Sequence, residues 1–196
     1  MADETTGPVP PARRASARVA RKRSTDTGEE AKAPKQARTD PPSEEPEASE
    51  SRSSGPLQVG DALPSLELVD QSEERVQIAD LKKVVIFTYP RANTPGCTRQ
   101  AQCFRDAYDD WKQAGYEVYG LSSDSPKSQT TWSKKLSLPY RLLCDPKREL
   151  IGALTGTKSS TKRSHFVVGE DGKLSLSSIG VKPGESSSAA LASVAT

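Results

Sequence analysis

What this chain of 196 residues lacks is concentrated at its front. Up to Pro56 there is no Phe, Trp, Tyr, Ile or Leu, and Val9 and Val19 are the only branched apolar residues. A segment so poor in apolar surface cannot offset the entropy of ordering its backbone, so residues 1–56 are expected to be disordered. Long apolar runs are missing as well: a membrane span needs about 20 such residues, and the chain has runs of only a few. The N-terminus has no apolar middle for secretion, and its early Asp3 and Glu4 with abundant Pro are unlike a mitochondrial transit peptide. These absences lead to the expectation of an intracellular protein with no membrane partner. In a reducing compartment its three cysteines would serve chemistry or inert burial, not a disulfide framework. What remains, residues 57–196, is long enough for one compact domain.

The tail does hold charge, and it is sorted into blocks. Arg13, Arg14, Arg18, Arg21, Lys22, Arg23, Lys32, Lys35 and Arg38 precede Asp40, Glu44, Glu45, Glu47 and Glu50, a segregation that the net charge of +2 conceals. Arg21-Lys22-Arg23, followed after a spacer by Lys32 and Lys35, resembles a two-part nuclear localisation signal that an import carrier reads as an extended basic peptide. The expected location is therefore the nucleus. A solvated linker is one alternative, and a direct nucleic-acid contact is another. Against the latter, no aromatic residue interleaves the basic ones to stack on bases.

From residue 57 onward the apolar residues recur with readable periods. Residues 63–68 and 76–78 alternate, which predicts a short hairpin around the polar stretch 70–74. Val84 to Tyr89 is a near-continuous β-branched and aromatic run, as in a strand buried on both faces. Pro90 and Pro95 end it. Residues 98–114 are free of Pro and Gly and carry Phe104, Tyr108 and Trp111 at helical spacing, which predicts one helix with an apolar stripe. A strand is predicted over 116–122. Ser125-Pro126 supplies an N-cap and a first-turn proline for a helix to about Leu136. Residues 140–143 read as a strand, and Asp145-Pro146 as the opening of another short helix. Residues 164–168 and 174–179 flank Glu170-Asp171-Gly172 as a hairpin. The Ser- and Ala-rich end after Gly184 looks short for a closing helix. Strand, helix, strand, helix and hairpin together predict an α/β sheet with antiparallel members.

Within this pattern Cys97 lies where a thiol gains reactivity. It follows a proline turn, not an apolar stripe, and falls in the first turn of a predicted helix, whose unpaired N–H groups and dipole favour thiolate over thiol. Thr94 can aim its hydroxyl at the sulfur, Pro90 and Pro95 stiffen the approach, and Gly96 lets the backbone bend closely.

Pro90-Arg91-Ala92-Asn93-Thr94-Pro95-Gly96-Cys97 resembles the P-x-x-x-T-x-x-C active-site loop of the peroxiredoxins. The fuller Thr94-Pro95-Gly96-Cys97-Thr98 is similar to the Q-type branch, the bacterioferritin comigratory proteins. Phe104-Arg105-Asp106, Gly120 to Ser125, Leu138-Pro139-Tyr140, Leu143 to Pro146 and Lys162 to Phe166 resemble later landmarks of that branch in the same order. Nearest in kind are the fungal nuclear thiol peroxidases, which carry a Q-type domain behind a charged tail. The resemblance implies a thioredoxin-like fold, a mixed central sheet flanked by helices. It also implies thiol-dependent reduction of hydrogen peroxide and alkyl hydroperoxides by a monomer, with thioredoxin as reductant and no metal or other cofactor. By that resemblance Cys97 is the peroxidatic residue, with Thr94 and the loop amides holding the peroxide and Arg163 donating to sulfur and peroxide together.

Many Q-type members place a resolving cysteine five positions after the peroxidatic one, where this chain has Gln102. Cys103 comes one place later, about 100° further round a helix. Six helical residues span about 9 Å of rise, against Cα spacings of roughly 4.4–6.8 Å in disulfides, so a Cys97–Cys103 bond demands local unwinding. Cys103, Cys144 and an external thiol all stand as candidates to resolve the oxidised sulfur, Cys103 first among them. His165, the only histidine, is expected to be structural and on the opposite strand face from Arg163. A rival function of another class is a redox-sensing or chromatin-associated binding protein, in which Cys97 oxidation is itself the signal.

Overall fold

The computed structural model describes residues 55–194. Of the predicted tail 1–56, residues 1–54, with Arg21, Lys22, Arg23, Lys32 and Lys35, lie outside them. A hairpin of β1 (Glu67–Asp70) and β2 (Arg75–Gln77) comes first, then β3 (Val84–Thr88). Helices α1 (Pro95–Asp106) and α2 (Tyr108–Gln113) lead to β4 (Glu117–Ser122). Helix α3 (Pro126–Leu136) precedes β5 (Arg141–Cys144), and α4 (Glu149–Thr155) precedes the hairpin of β6 (Ser164–Val168) and β7 (Leu174–Ile179). Helix α5 (Ser186–Ala192) closes the described chain. The strands form one mixed sheet in the order β2-β1-β5-β4-β3-β6-β7. The β5-β4-β3 core is parallel, and the other neighbours are antiparallel.

Strand β3 is buried along its whole length because both faces of the sheet are covered. Alternation sends Val84 and Ile86 into a core with Leu121, Phe166 and the Leu150, Ile151 and Leu154 side chains of α4. Val85, Phe87 and Tyr89 enter the opposite core with Phe104, Trp111, Trp132, Tyr140, Ala190 and Cys97. Phe104 stacks on Phe87 with ring centroids 4.4 Å apart, which locks α1 across the strand that feeds it. The chain thus brings its candidate nucleophile to the aromatic core directly from the central strand.

Several elements differ from expectation. The first hairpin is shifted: β1 runs on to Asp70 and omits residues 63–66, because the Asp70 carboxylate accepts the N–H groups of Ser72 and Glu74 and so places the turn. The single helix expected over 98–114 is two, broken at Ala107, whose ψ of 11° leaves the helical range. Asp145-Pro146 does not begin α4. Asp145 instead caps it from upstream, accepting Glu149 N and Ile151 N at 2.9 Å each, across a turn in which Arg148 has φ 53°. The Ser- and Ala-rich end does make a helix, α5, short enough to be nearly two turns.

Candidate active site

Thr94 is extended (φ −100°, ψ 151°) and caps α1, with Pro95 in the first helical position, where a missing N–H costs nothing. The first helical bond across this cap runs from Thr98 N to Thr94 O at 2.8 Å, so the amides of Gly96 and Cys97 precede the ladder. The Cys97 thiol is free and only 1% exposed. It lies on the buried face of α1, not off it as expected, because positions 97, 101 and 104 share one stripe at helical spacing. The Thr94 hydroxyl does not aim at the sulfur: it donates to Arg91 O at 3.0 Å and tightens the loop instead. Pro90 and Pro95 both border this exposed loop. Asp124 anchors it by accepting Ala92 N at 2.6 Å, and Lys135 Nζ donates to Asn93 Oδ1 at 3.0 Å.

Arg163 reaches the first turn of α1 from the residue just before β6. Its carbonyl accepts Gly180 N and Val181 N, which fixes its backbone. Nη1 donates to Gly96 O at 3.2 Å and to Gln100 Oε1 at 2.8 Å, while Nη2 donates to Cys97 Sγ at 3.5 Å. The planar fork therefore holds the helix turn and the sulfur at once. Gly96 leaves room for this approach and is not needed for a bend: a Cβ there would stand 3.1 Å from Arg163 Nη2, tight enough to displace the guanidinium by a few tenths of an ångström.

Behind Arg163 lies a buried polar chain. Gln100 Nε2 donates to Ser186 Oγ at 3.2 Å, and Ser186 Oγ lies 3.1 Å from His165 Nδ1. His165 is thus on the same side as Arg163, contrary to expectation, because residues two apart along a strand share a face. Burial lowers the imidazole from 6.5 to about 4, so it is neutral at physiological pH. Gln100, Ser186 and the loop anchor Asp124 are site residues that the sequence pattern does not mark as such. For Gln100 a signal existed, a polar side chain four residues before Phe104 on an apolar stripe. Ser186 carried none.

The other two cysteines differ sharply. Cys103 is half-buried on α1, its thiol directed at Gly184 O at 3.8 Å, with intact helix between it and Cys97. Cys144 is buried in β5 opposite Val69 and Ser122. Burial, with the charges of Asp70 and Asp124, pushes its thiol up to about 12. Beside the loop, Asn93, Ser125, Lys127, Thr131, Trp132 and Lys135 line a cavity of about 390 Å³. Trp132 Nε1 donates to Thr98 Oγ1 at 3.4 Å, which ties the cavity floor to the turn bearing Cys97. Among the described residues no group of three or more His, Cys, Asp or Glu is arranged to hold a metal ion.

A model of the AhpC/TSA family matches residues 59–177. Peroxiredoxin bcp1 of Schizosaccharomyces pombe is 40% identical over 134 residues, which cover 65% of this chain and 69% of that protein. A chloroplastic peroxiredoxin Q of Gentiana triflora is 39% identical over 129 residues, 60% of this chain and 57% of the relative. Among solved structures, the peroxidoxin BcpB of Mycobacterium tuberculosis superposes with a TM-score of 0.65 at 27% identity, covering 71% of this chain and 97% of that one.

Proposed function

The chain belongs to the AhpC/TSA family, as a thiol-dependent peroxidase of the Q-type peroxiredoxins with a thioredoxin-like fold, and we propose that Cys97 is its peroxidatic nucleophile and Arg163 its electrostatic partner. The observation that carries this reading is the Arg163 fork, with Nη2 on the Cys97 sulfur and Nη1 on the helix turn that presents it. The Cys97 thiolate attacks the terminal oxygen of a hydroperoxide, hydrogen peroxide or an alkyl hydroperoxide. The S–O bond forms as the O–O bond breaks, leaving a sulfenic acid, and the departing oxygen takes up a proton as water or alcohol. Arg163 and the free amides of the first turn oppose the charge that moves onto that oxygen.

Cys103 then attacks the sulfenic sulfur, water leaves, and a Cys97–Cys103 disulfide forms; a dithiol reductant of the thioredoxin type returns both thiols. The chain acts as a monomer in this reading. Its support is that Val59 and Ile179 are the large apolar residues exposed among those described, too little for a lasting self-contact. The basic block 21–35 addresses it to the nucleus through an import carrier, without direct nucleic-acid binding. A coupled assay with thioredoxin, its reductase and NADPH tests the central step. Wild type should consume many peroxide equivalents per chain, and Cys97→Ser none while remaining folded by circular dichroism. Turnover retained in Cys97→Ser would overturn the assignment of the nucleophile, and a wild type that stops after about one equivalent would be a sensor.

A further inference from the structure

We infer that His165 and Ser186 are positioning residues for the peroxidase reaction, holding the Arg163 guanidinium on the Cys97 sulfur through Gln100. The inference rests on Arg163 acting at Cys97, as proposed above. Arg163 has donors and no acceptor, so its Nη1 contact at 2.8 Å selects the Gln100 amide orientation with Oε1 toward the guanidinium. Gln100 Nε2 must then face away, and it meets Ser186 Oγ at 3.2 Å. Ser186 accepts that N–H, which leaves its own hydroxyl hydrogen for His165 Nδ1 at 3.1 Å.

The tautomer follows from counting partners. With the imidazole proton on Nε2, every group in the chain is paired except Nε2–H, which has no partner. With the proton on Nδ1, both the Ser186 hydroxyl hydrogen and Nε2 would be stranded in a buried site, and the cost would roughly double. Each donor therefore points the same way, from Arg163 to Gln100 to Ser186 to His165, and such chains strengthen one another. Gln100, Ser186 and His165 are all buried, so no solvent competes for these bonds. The chain also spans three elements, since Gln100 is on α1, Ser186 opens α5 and His165 is on β6.

The consequence is orientational. Without the Ser186 hydroxyl, the Arg163 contact alone selects which end of the Gln100 amide faces it, and the buried Nε2 loses its partner. A half-turn of that amide sets an NH2 group against the cation and drives the guanidinium off the sulfur. His165 acts one step further back, by holding the Ser186 hydroxyl as a donor to itself and hence as an acceptor for Gln100. Leaving His165 out of the site would miss the group that ends the chain.

The test is the second-order rate constant of the reduced protein with hydrogen peroxide, measured by stopped flow and normalised to native chain by circular dichroism. S186A and H165L should each be slower by about fivefold, which is ~1 kcal/mol of transition-state stabilisation. H165N should regain most of that rate, because its Oδ1 replaces Nδ1 as acceptor. In the R163K background, S186A should cost little more, since the residue through which it acts has already been altered. S186A at the wild-type rate beside a slow R163K would overturn the inference alone. So would a full additive loss in the double variant, or an H165N as slow as H165L. R163K at the wild-type rate would instead remove the Arg163 reading itself, and this inference with it.

Discussion

Cys144 and His165 are both buried, and in each the burial works against the charged form of the side chain. For Cys144 a thiol pushed up to about 12 stays protonated at neutral pH and is no nucleophile. Native protein treated with iodoacetamide should therefore be alkylated at Cys97 and Cys103 and spared at Cys144, and Cys144→Ser should leave thioredoxin-supported turnover unchanged. Rapid labelling of Cys144, or slowed turnover in that variant, would return it to the mechanism. For His165 the imidazole titrates near 6.5 in the unfolded chain and about 4 in the folded one. Between those values the unfolded chain holds more protons, so stability is undiminished above pH 6.5 and falls as pH drops toward 4, by about 3 kcal/mol in all. Urea midpoints should thus decline more between pH 7 and pH 5 in wild type than in H165N. Parallel declines would mean that His165 titrates normally when folded.

At the scale of elements, α1 carries both the proposed nucleophile and its candidate resolver, and the rise of about 9 Å between them is incompatible with a disulfide while the helix is intact. The loop at Gly184 adds a second restraint, since it holds the Cys103 thiol. Peroxide without reductant should therefore yield a disulfide between the tryptic peptides bearing Cys97 and Cys103, with loss of helical signal. Cys103→Ser should keep the first oxidation, slow turnover and leave Cys97 open to overoxidation to sulfinic acid. A Cys97–Cys144 linkage, or normal turnover in Cys103→Ser, would exclude Cys103. Legibility in the sequence followed how local each cause was. Helix α3 is bounded as read because Ser125 accepts Ser128 N and Pro126 begins the turn, both neighbours in the chain. The β6–β7 hairpin is likewise as read. No Gly or Pro marks the break at Ala107; beyond it Trp111 Nε1 donates to Ser187 Oγ, 76 residues away. Arg163 is readable from motif resemblance and Gln100 from its place on the apolar stripe, whereas the link from Gln100 to Ser186 and His165 joins three distant segments and has no local signature.

For the whole molecule, the proposed chemistry and the proposed address occupy separate stretches of chain. Every residue of the candidate site lies between Tyr89 and α5, and the family match spans 59–177, whereas the basic block ends at Arg38. The two stretches are separate in sequence, so they should be separable by mutation. Replacing Arg21, Lys22 and Arg23 with Ala removes three of the charges an import carrier would read and leaves the thiol, Arg163 and the sheet untouched. The variant should reduce peroxide at the wild-type rate in vitro and, as a fluorescent fusion, move from nucleus to cytoplasm. Lys32 and Lys35 refine the expectation: in a two-part signal both clusters bind together, so replacing that pair alone should give partial relocation. A fusion must be large enough to prevent passage by diffusion, since the chain of 196 residues alone is small. Nuclear accumulation that survives both sets of replacements would defeat the import reading. In that case the tail would not be the address, and entry would depend on diffusion and retention by the folded domain.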